Sequence, residues 1–183
     1  MMATDIISPD SYMKDPEPEQ PKKPEEHIEY FIKNPAMMEV LHKKNIKYFF
    51  PIQYMTFETI YKRQDLIGRD RTGSGKTMAY SLPIIERFRH QELFKSNYIK
   101  FLIILPTREL CIQVTNEIES LKLHSKEYNV ISLYGGVEIR KHLDLLRSKV
   151  DIVVATPGRL IDLLGREKVD FQGIEGVCLD EAD

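Results

Sequence analysis

The chain has 183 residues, 42% of them hydrophobic and 30% charged, and a formal net charge of −2 at pH 7. This length and composition suit one globular α/β domain, and they exclude a second complete domain and any apolar span of ~20 residues that would cross a membrane. Residues 1–27 hold seven acidic and three basic side chains, so the remainder is mildly basic rather than polycationic.

Two cysteines are present, Cys111 and Cys178, and each lies within an apolar pattern. We interpret both as small buried side chains in a reducing compartment rather than as a disulfide or a metal-binding pair. The N-terminus has no apolar core of secretory length. We therefore expect the protein in the cytosol or the nucleus, without membrane contact.

The N-terminal segment, residues 1–27, is predicted to be a disordered arm. Residues 10–26 combine Pro, Glu and Lys with almost nothing to bury, a composition that cannot offset its own ordering entropy. The domain is expected to occupy residues 28–183. A helix is predicted at residues 35–44, and another is predicted to begin near Ile52.

Beyond residue 64, short β-rich runs alternate with longer helical patterns. The predicted strands are residues 65–69, 101–105, 129–134, 151–155 and 177–180, and the predicted helices are residues 76–89, 107–123, 138–147 and 158–164. This alternation is typical of a parallel β-sheet with helices on both faces. Ligands of such sheets bind beyond the carboxyl ends of the strands.

A glycine-rich segment, TGSGKT at residues 72–77, follows the first predicted strand and indicates a phosphate-binding loop. Three small residues let backbone N–H groups turn towards an anion, Lys76 supplies a charge for the β- and γ-phosphates, and Thr77 offers a hydroxyl to Mg²⁺. The strict pattern has glycine at position 70, where this chain has Asp70. The alternative interpretation is a glycine-rich turn that merely opens a helix.

The last predicted strand runs directly into Asp180, Glu181, Ala182 and Asp183. A strand that delivers a carboxylate beside a phosphate loop is typical of the metal-holding half of a nucleotide site, because Mg²⁺ prefers oxygen ligands. The alternative is an accidental run of acidic residues.

FPIQ at 50–53 precedes the first predicted strand, and other motifs follow the later strands in order: PTREL at 106–110, glycines at 135 and 136, TPGR at 156–159 and DEAD at 180–183. Together with TGSGKT they resemble the DEAD-box RNA helicases, specifically the first of the two RecA-like domains, over residues 28–183. The resemblance implies a RecA-like P-loop fold, incomplete at its C-terminus. FPIQ, Arg71 before TGSGKT and the nearby Thr56 and Phe57 are most similar to the nucleolar Gu-type branch.

The resemblance implies ATP and Mg²⁺ as cofactors. Gln53 would read adenine through its N6 and N7 positions, although it would also suit a helix cap. Lys76, Asp180 and Glu181 are implied as catalytic, with Asp180 holding Mg²⁺ through water beside Thr77 and Glu181 acting on the attacking water. Asp183 is implied to couple the site to motifs elsewhere. The implied nucleotide-binding residues are Gln53, Thr72, Gly73, Ser74, Gly75, Lys76, Thr77 and Asp183.

The resemblance also implies RNA contacts at the other strand-to-helix junctions. Hydroxyl groups, guanidinium groups and helix N-terminal N–H groups bind phosphates and sugars without reading bases, so binding is expected to be sequence-independent and salt-sensitive. Taken singly, the threonines would also serve as helix N-caps, and the first arginine would also suit an ion pair with a neighbouring acid. The implied RNA-binding residues are Thr107, Arg108, Gly136, Thr156, Gly158 and Arg159.

The chain departs from the family pattern at three places. Asp70 stands where the family usually has alanine, and Ile46 stands where many relatives stack an aromatic ring on adenine. The upstream aromatic position falls at Ile28, which leaves Tyr30 or Phe31 as substitutes. These differences bear on the affinity for ATP rather than on its identity.

The resemblance also implies parts that lie beyond Asp183, namely a Ser-Ala-Thr motif with its strand and a second RecA-like domain. The arginines of that domain are worth roughly 10³–10⁵ in rate, so we expect the 183 residues alone to be inactive. A sheet without one strand would expose an apolar edge, and the isolated chain is expected to be monomeric or prone to aggregation.

Two functions remain open from the sequence. The first is half of an ATP-dependent RNA helicase that couples ATP hydrolysis to RNA duplex separation in the full-length protein. The second is a non-catalytic fragment that binds nucleotide or RNA. A P-loop kinase or GTPase fits the loop, but it predicts neither Gln53 nor the PTREL and TPGR segments.

Overall fold

A computed structural model describes residues 26–166 and 169–182, and it shows an α/β fold with one parallel sheet. The predicted disordered arm lies almost entirely outside these residues, as does Asp183. No helix in the described ranges is long and apolar enough to cross a membrane. The strands are β1 (Phe101–Ile104), β2 (Val130–Leu133), β3 (Ile152–Ala155) and β4 (Gly176–Leu179). The helices are α1 (Ile28–Phe31), α2 (Pro35–Lys43), α3 (Pro51–Tyr61), α4 (Lys76–His90), α5 (Arg108–Glu119), α6 (Ile139–Leu146) and α7 (Pro157–Leu164).

The strand order is β2-β3-β1-β4, and every pair is parallel. Ile104 at the end of β1 lies opposite both Ala155 and Leu179, and Leu133 lies opposite Ala155. The four carboxyl ends are therefore level. The loops that follow the strands emerge along one edge of the sheet, as the sequence predicts.

Both faces of the sheet are covered, because alternate residues of each strand point to opposite sides. Phe101, Ile103 and Val154 belong to a core that includes α4 and α5. Leu102 and Val153 belong to a second core, which contacts α6 and α7. This arrangement confirms the predicted parallel sheet with helices on both faces.

The predicted strand at residues 65–69 is wrong. Residues 64–71 form no regular element, and the side chain of Ile67 is 99% exposed. A strand needs a hydrogen-bonded neighbour, which local propensity cannot supply, and no strand among the described residues pairs with this segment.

An apolar edge is exposed at β4. Val177 and Leu179 point to the same side of the sheet, and they are 55% and 64% exposed. The expected exposure of an apolar sheet edge is therefore observed here. Aggregation of the chain stays a prediction.

Helix α1 is not predicted from the sequence, and α5 ends at Glu119 rather than at residue 123. Ile28 of α1 is fully buried, while the ring of Phe31 lies 4.9 Å from that of Phe57 in α3. This short helix therefore forms by packing against α3 rather than by its own propensity.

The two cysteines are both free thiols. Cys111 is buried, as expected, whereas Cys178 is only half-buried because it lies on the edge strand. Burial raises the pKa of Cys111 to about 11 and that of Cys178 to about 12. Both thiols are therefore protonated and weakly nucleophilic at neutral pH.

A buried ion cluster ties the end of α4 to the loop before β2. The Arg89 guanidinium donates to both carboxylate oxygens of Glu127, to Glu86 and to the carbonyl of Leu121. Glu127 also accepts the N–H of Leu123 at 2.7 Å. Burial raises the pKa of Glu86, the attraction of Arg89 opposes this rise, and the charge of Glu127 adds to it.

Removal of Glu127 should therefore weaken the fold. The Glu127→Ala variant leaves the guanidinium of Arg89 buried with one carboxylate and leaves the Leu123 N–H without its acceptor, so the free energy of unfolding should fall by about 3 kcal/mol. Urea unfolding followed by circular dichroism measures this loss. The control is Glu39→Ala, which breaks the exposed pair with Lys43 and should cause no measurable change. Equal stability of the two variants would contradict the structural role of the cluster.

Candidate functional site

The phosphate-binding loop lies at the start of α4, the longest described helix. Gly73 and Gly75 have φ values of 81° and 79°, which L side chains rarely adopt. Gly75 is the N-cap of α4, and no side chain caps this end. The first N–H groups of the helix therefore have no intrahelical acceptor, and a Cβ placed on Gly73 would meet nothing within 4 Å. These features fit a loop that accepts an anion.

Lys76 links this loop to the acidic run after β4. Its ammonium donates to the carbonyl of Asp70 at 3.1 Å, and it lies 3.3 Å from a carboxylate oxygen of Glu181. A lysine ammonium has three rotatable donors, so it can exchange a carboxylate for a phosphate without moving its backbone. The structure therefore brings two of the predicted catalytic residues together.

Asp70 bonds to its own loop. Its Oδ1 accepts the backbone N–H of Arg71 at 2.8 Å. The carboxylate is thus held by a backbone group rather than by the guanidinium of Arg69 or Arg71. One oxygen is engaged there, which limits how freely this side chain can turn towards a bound anion.

Asp180 is oriented by two hydrogen bonds. Its Oδ2 accepts the hydroxyl of Tyr80 at 3.1 Å, and its Oδ1 accepts the backbone N–H of Glu181 at 3.0 Å. Burial, followed by the charge of Asp180, raises the pKa of the Tyr80 phenol. Glu181 itself has a φ of 51°, an uncommon conformation for a residue with a side chain. The backbone strain thus lies at a predicted catalytic position.

Sequence reasoning missed two residues of this cluster, Tyr80 and Glu117. Tyr80 is four positions after Lys76 on α4, a spacing that places both on one side of the helix and that could have indicated it. Burial raises the pKa of Glu117, a hydrogen bond from Thr77 opposes this rise, and the charge of Asp180 adds to it. No local motif marks Glu117, because it reaches the cluster through the packing of α5.

Gln53 joins α3 to the phosphate loop. Its Oε1 accepts the backbone N–H of Phe50 at 2.9 Å, and its Nε2 donates to the carbonyl of Gly75 at 3.1 Å. The side chain is only 5% exposed. The helix cap considered from the sequence is therefore present. Each heteroatom keeps one further hydrogen-bonding position for a ligand.

The positions considered for an aromatic contact with adenine differ in exposure. Ile28 lies in the core, and Phe31 packs against Phe49 and Phe57. Tyr30 is exposed. Of the two substitutes predicted from the sequence, Tyr30 is therefore the more exposed, while Phe31 is half-buried.

The first junction implied to bind RNA lies between β1 and α5. Thr107 caps α5, since its hydroxyl accepts the N–H of Leu110 at 3.3 Å. The guanidinium carbon of Arg108 lies 5.0 Å from the centre of the Tyr134 ring, a cation–π contact. Gly136, in the loop after β2, has a φ of 80°, and a Cβ on it would lie 3.6 Å from Arg108. The loops after β1 and β2 therefore meet.

The second junction lies between β3 and α7. Thr156 occupies the N-cap position of α7 but makes no capping bond with its side chain. A Cβ on Gly158 would meet no atom within 4 Å, so the surface there is open. Arg159, in contrast, is 9% exposed, and it bonds to His142 and to the carbonyl of Val137.

Comparison with known proteins gives consistent matches. The profile of the DEAD/DEAH box helicase family matches residues 50–183. DEAD-box ATP-dependent RNA helicase 53 of Oryza sativa subsp. japonica is 44% identical over 153 residues, which cover 82% of this chain and 25% of the relative. Nucleolar RNA helicase 2-B of Xenopus laevis is 37% identical over 145 residues, which cover 78% of this chain and 18% of the relative. The chain thus spans about a fifth of the length of such relatives.

Two solved structures share the fold. A crystal structure of a hypothetical ATP-dependent RNA helicase from Sulfolobus tokodaii superimposes with a TM-score of 0.70 and 35% identity, over 82% of this chain and 42% of that chain. The DEAD-box helicase Mss116, described as bound to ssRNA and UDP-BeF, has a TM-score of 0.75 and 29% identity, over 85% of this chain and 32% of that chain.

The bonds of Gln53 predict a structural effect that is separate from any role in base recognition. The Gln53→Ala variant removes the acceptor for Phe50 and the donor to Gly75, so the free energy of unfolding should fall by about 1–2 kcal/mol. The Gln53→Glu variant keeps the acceptor for Phe50 but sets a carboxylate oxygen against the carbonyl of Gly75, so it should lose at least as much stability. Urea unfolding without nucleotide tests both variants. If Gln53→Ala is as stable as the unmodified chain, the side chain does not tie α3 to the loop.

Proposed function

Because the chain belongs to the DEAD/DEAH box helicase family, we propose that it is the ATP-binding half of an ATP-dependent RNA helicase. The observation that carries this proposal is the contact between Lys76 of the phosphate loop and Glu181 beyond β4. This contact supports a site in which Lys76 binds phosphate and Glu181 activates water. We infer that ATP hydrolysis is coupled to RNA duplex separation in a longer protein, with a second RecA-like domain as partner.

Lys76 is the residue that changes partners in this proposal. Without nucleotide its charge is balanced by Glu181 at 3.3 Å. When Lys76 turns to the β- and γ-phosphates, Glu181 loses its cation and becomes available to orient or deprotonate the attacking water. In this proposal, nucleotide binding to Lys76 also frees Glu181 to act as the general base.

When bound, Mg²⁺ would supply positive charge that offsets the negative charge of the phosphates. The residues that would hold it are Thr77 and, through water, Asp180. The donor set fits, because both side chains present oxygen and the Tyr80 hydroxyl fixes the orientation of the carboxylate.

Gln53 supports adenine as the base. The two hydrogen bonds of its amide to Phe50 and Gly75 fix which end is the acceptor and which is the donor. The remaining lone pair and N–H then complement the N6 amino group and N7 of adenine. Guanine has a carbonyl oxygen where adenine has the N6 amino group. This oxygen would face the acceptor oxygen of the Gln53 amide, and no hydrogen bond would form.

The level edge of the sheet supports RNA binding. The N-termini of α5 and α7 and the loop after β2 all lie beyond carboxyl ends of strands. Open space above the Cα atoms of Gly135 and Gly158 leaves room for a backbone to approach. Such groups contact phosphate and sugar rather than bases, so the proposed binding is sequence-independent. The names of relatives such as nucleolar RNA helicase 2 support a site of action in the nucleolus, nucleus or cytoplasm.

The test of the proposal uses the full reading frame that contains this chain. RNA-stimulated ATP hydrolysis is expected, and Lys76→Ala should lower both ATP binding and hydrolysis at least tenfold because it removes the cation at the phosphates. Glu181→Gln should keep ATP binding, since it frees Lys76, and should lower hydrolysis by about 10²-fold or more.

Three outcomes separate the hypotheses. Loss of hydrolysis with retained binding in Glu181→Gln supports the enzymatic proposal. Saturable ATP or RNA binding without hydrolysis in the unmodified protein favours the non-catalytic alternative. No binding of ATP by the unmodified protein would contradict both the site and its assigned chemistry.

A further inference from the structure

A buried pair of basic side chains, Arg159 and His142, lies beneath the RNA-contact edge. Arg159 is 9% and His142 is 3% exposed. Nη1 of Arg159 lies 2.7 Å from Nδ1 of His142, and Nη2 donates to the carbonyl of Val137 at 2.8 Å. The Nε atom of Arg159 is buried and has no partner in the described part of the chain. Two hydrogen bonds therefore hold this guanidinium in place.

The chemistry of the two groups fixes the state of the imidazole. A guanidinium has only donors and stays protonated in proteins, so His142 must accept at Nδ1 and carry its proton on Nε2. A protonated His142 would present an N–H and a second positive charge to Arg159 at hydrogen-bond distance. The bond between the two side chains exists only while the imidazole is neutral.

The surroundings of His142 also favour the neutral form. Burial lowers its pKa first, and the charge of Arg159 lowers it further. The ring of Tyr134 also packs on His142, with a ring centre 5.8 Å away, and the Arg108 guanidinium lies over the Tyr134 ring. The ionisable side chains close to His142 along the chain are Glu138 at the N-cap of α6 and Arg140, Lys141 and Asp144 within it. Glu138 is four positions before His142, so it is the carboxylate to consider on the same side of the helix.

The same pair joins the loops implied to contact RNA. Arg159 lies in the first turn of α7, and the carbonyl to which it donates belongs to Val137, directly after the left-handed Gly136. His142 contacts the ring of Tyr134, on which Arg108 lies. Movement at His142 would therefore reach the loops after β1, β2 and β3 together.

We propose that His142 is a positioning residue for the RNA-contact edge: its neutral imidazole fixes Arg159, Arg159 holds the turn at Gly135 and Gly136 through Val137, and protonation releases this turn. In this arrangement Arg159 acts as an internal link rather than as an RNA contact. The inference rests on the proposed function, and it adds a dependence of RNA affinity on pH.

The direction of the effect follows from the lowered pKa. The folded-state pKa of His142 is below the ordinary value of 6.5, so the imidazole is neutral at about pH 7.5. The pair of Arg159 and His142 contributes to stability and to loop position when the pH is above 6.5, the ordinary pKa of histidine. This contribution is lost as the pH falls through the folded-state pKa.

The experiment measures the affinity of the chain for a labelled single-stranded oligouridine, whose bases do not titrate in this range, between about pH 7.5 and pH 5.5 at fixed salt. The unmodified chain should lose affinity about three- to tenfold as pH falls, because the buried hydrogen bond from the Arg159 guanidinium to the neutral His142 imidazole breaks. His142→Gln keeps an acceptor that does not titrate, and its affinity should vary much less. The matched control His124→Gln changes an exposed histidine between α5 and β2 and should follow the unmodified profile.

A second measurement needs no RNA. In two-dimensional NMR spectra, the amide signal of Gly136 should titrate together with the His142 ring signals, and this titration should disappear in His142→Gln. Circular dichroism at each pH checks that the chain stays folded. The same pH profile for RNA affinity in His142→Gln and in the unmodified chain would overturn the inference, as would a Gly136 signal that does not follow His142. If the chain binds no RNA at either pH, the proposed function fails, and the Gly136 titration alone decides the inference.

Discussion

Four parallel strands end at one level, with Ile104 opposite both Ala155 and Leu179 and with Leu133 opposite Ala155. The candidate groups that follow the strands depend on this register, because it places the loops after β1 to β4 along one edge. A shift of a strand by one residue would reverse the faces of its side chains and displace its loop. The sheet therefore sets the positions, while the loops supply hydroxyl, guanidinium, carboxylate and glycine groups.

The phosphate loop joins this edge without a strand of its own. Residues 64–71 are irregular, and the loop is positioned by α4, which packs in the core against the sheet. The contacts of Lys76 with Glu181 and of Tyr80 with Asp180 add polar links to the residues after β4. Gln53 adds a third tie, from α3 to Gly75. Packing of α4 and these polar contacts together position the loop, which has no strand pairing of its own. The same contacts engage Lys76, Glu181 and Asp180, so under the proposed function nucleotide binding would exchange partners instead of ordering free side chains.

The elements that could be predicted from the sequence are those whose signal is local. The run of apolar residues in β1 and β3, the glycines before α4 and the order of motifs at the strand ends indicate the fold and the candidate site. Long-range pairing has no such signal, so residues 65–69 appear as a strand although no described neighbour pairs with them. Tyr80, Glu117 and His142 escaped notice for the same reason, because each owes its place to contacts with a distant element. The roles of the predicted site residues stay predictions, because the structure gives their positions and contacts but not the ligands that they bind.

We infer that the loop around Lys76 binds an adenine nucleotide and that Gln53 selects the base. Isothermal titration of the 183-residue chain with Mg²⁺ and ADP, compared with Mg²⁺ and GDP, tests it most directly, because neither nucleotide requires hydrolysis or RNA. If Lys76 and Gln53 act in this way, we expect saturable binding of one ADP per chain and at least tenfold weaker binding of GDP. Absence of ADP binding by the folded chain, or equal affinity for ADP and GDP, would contradict it.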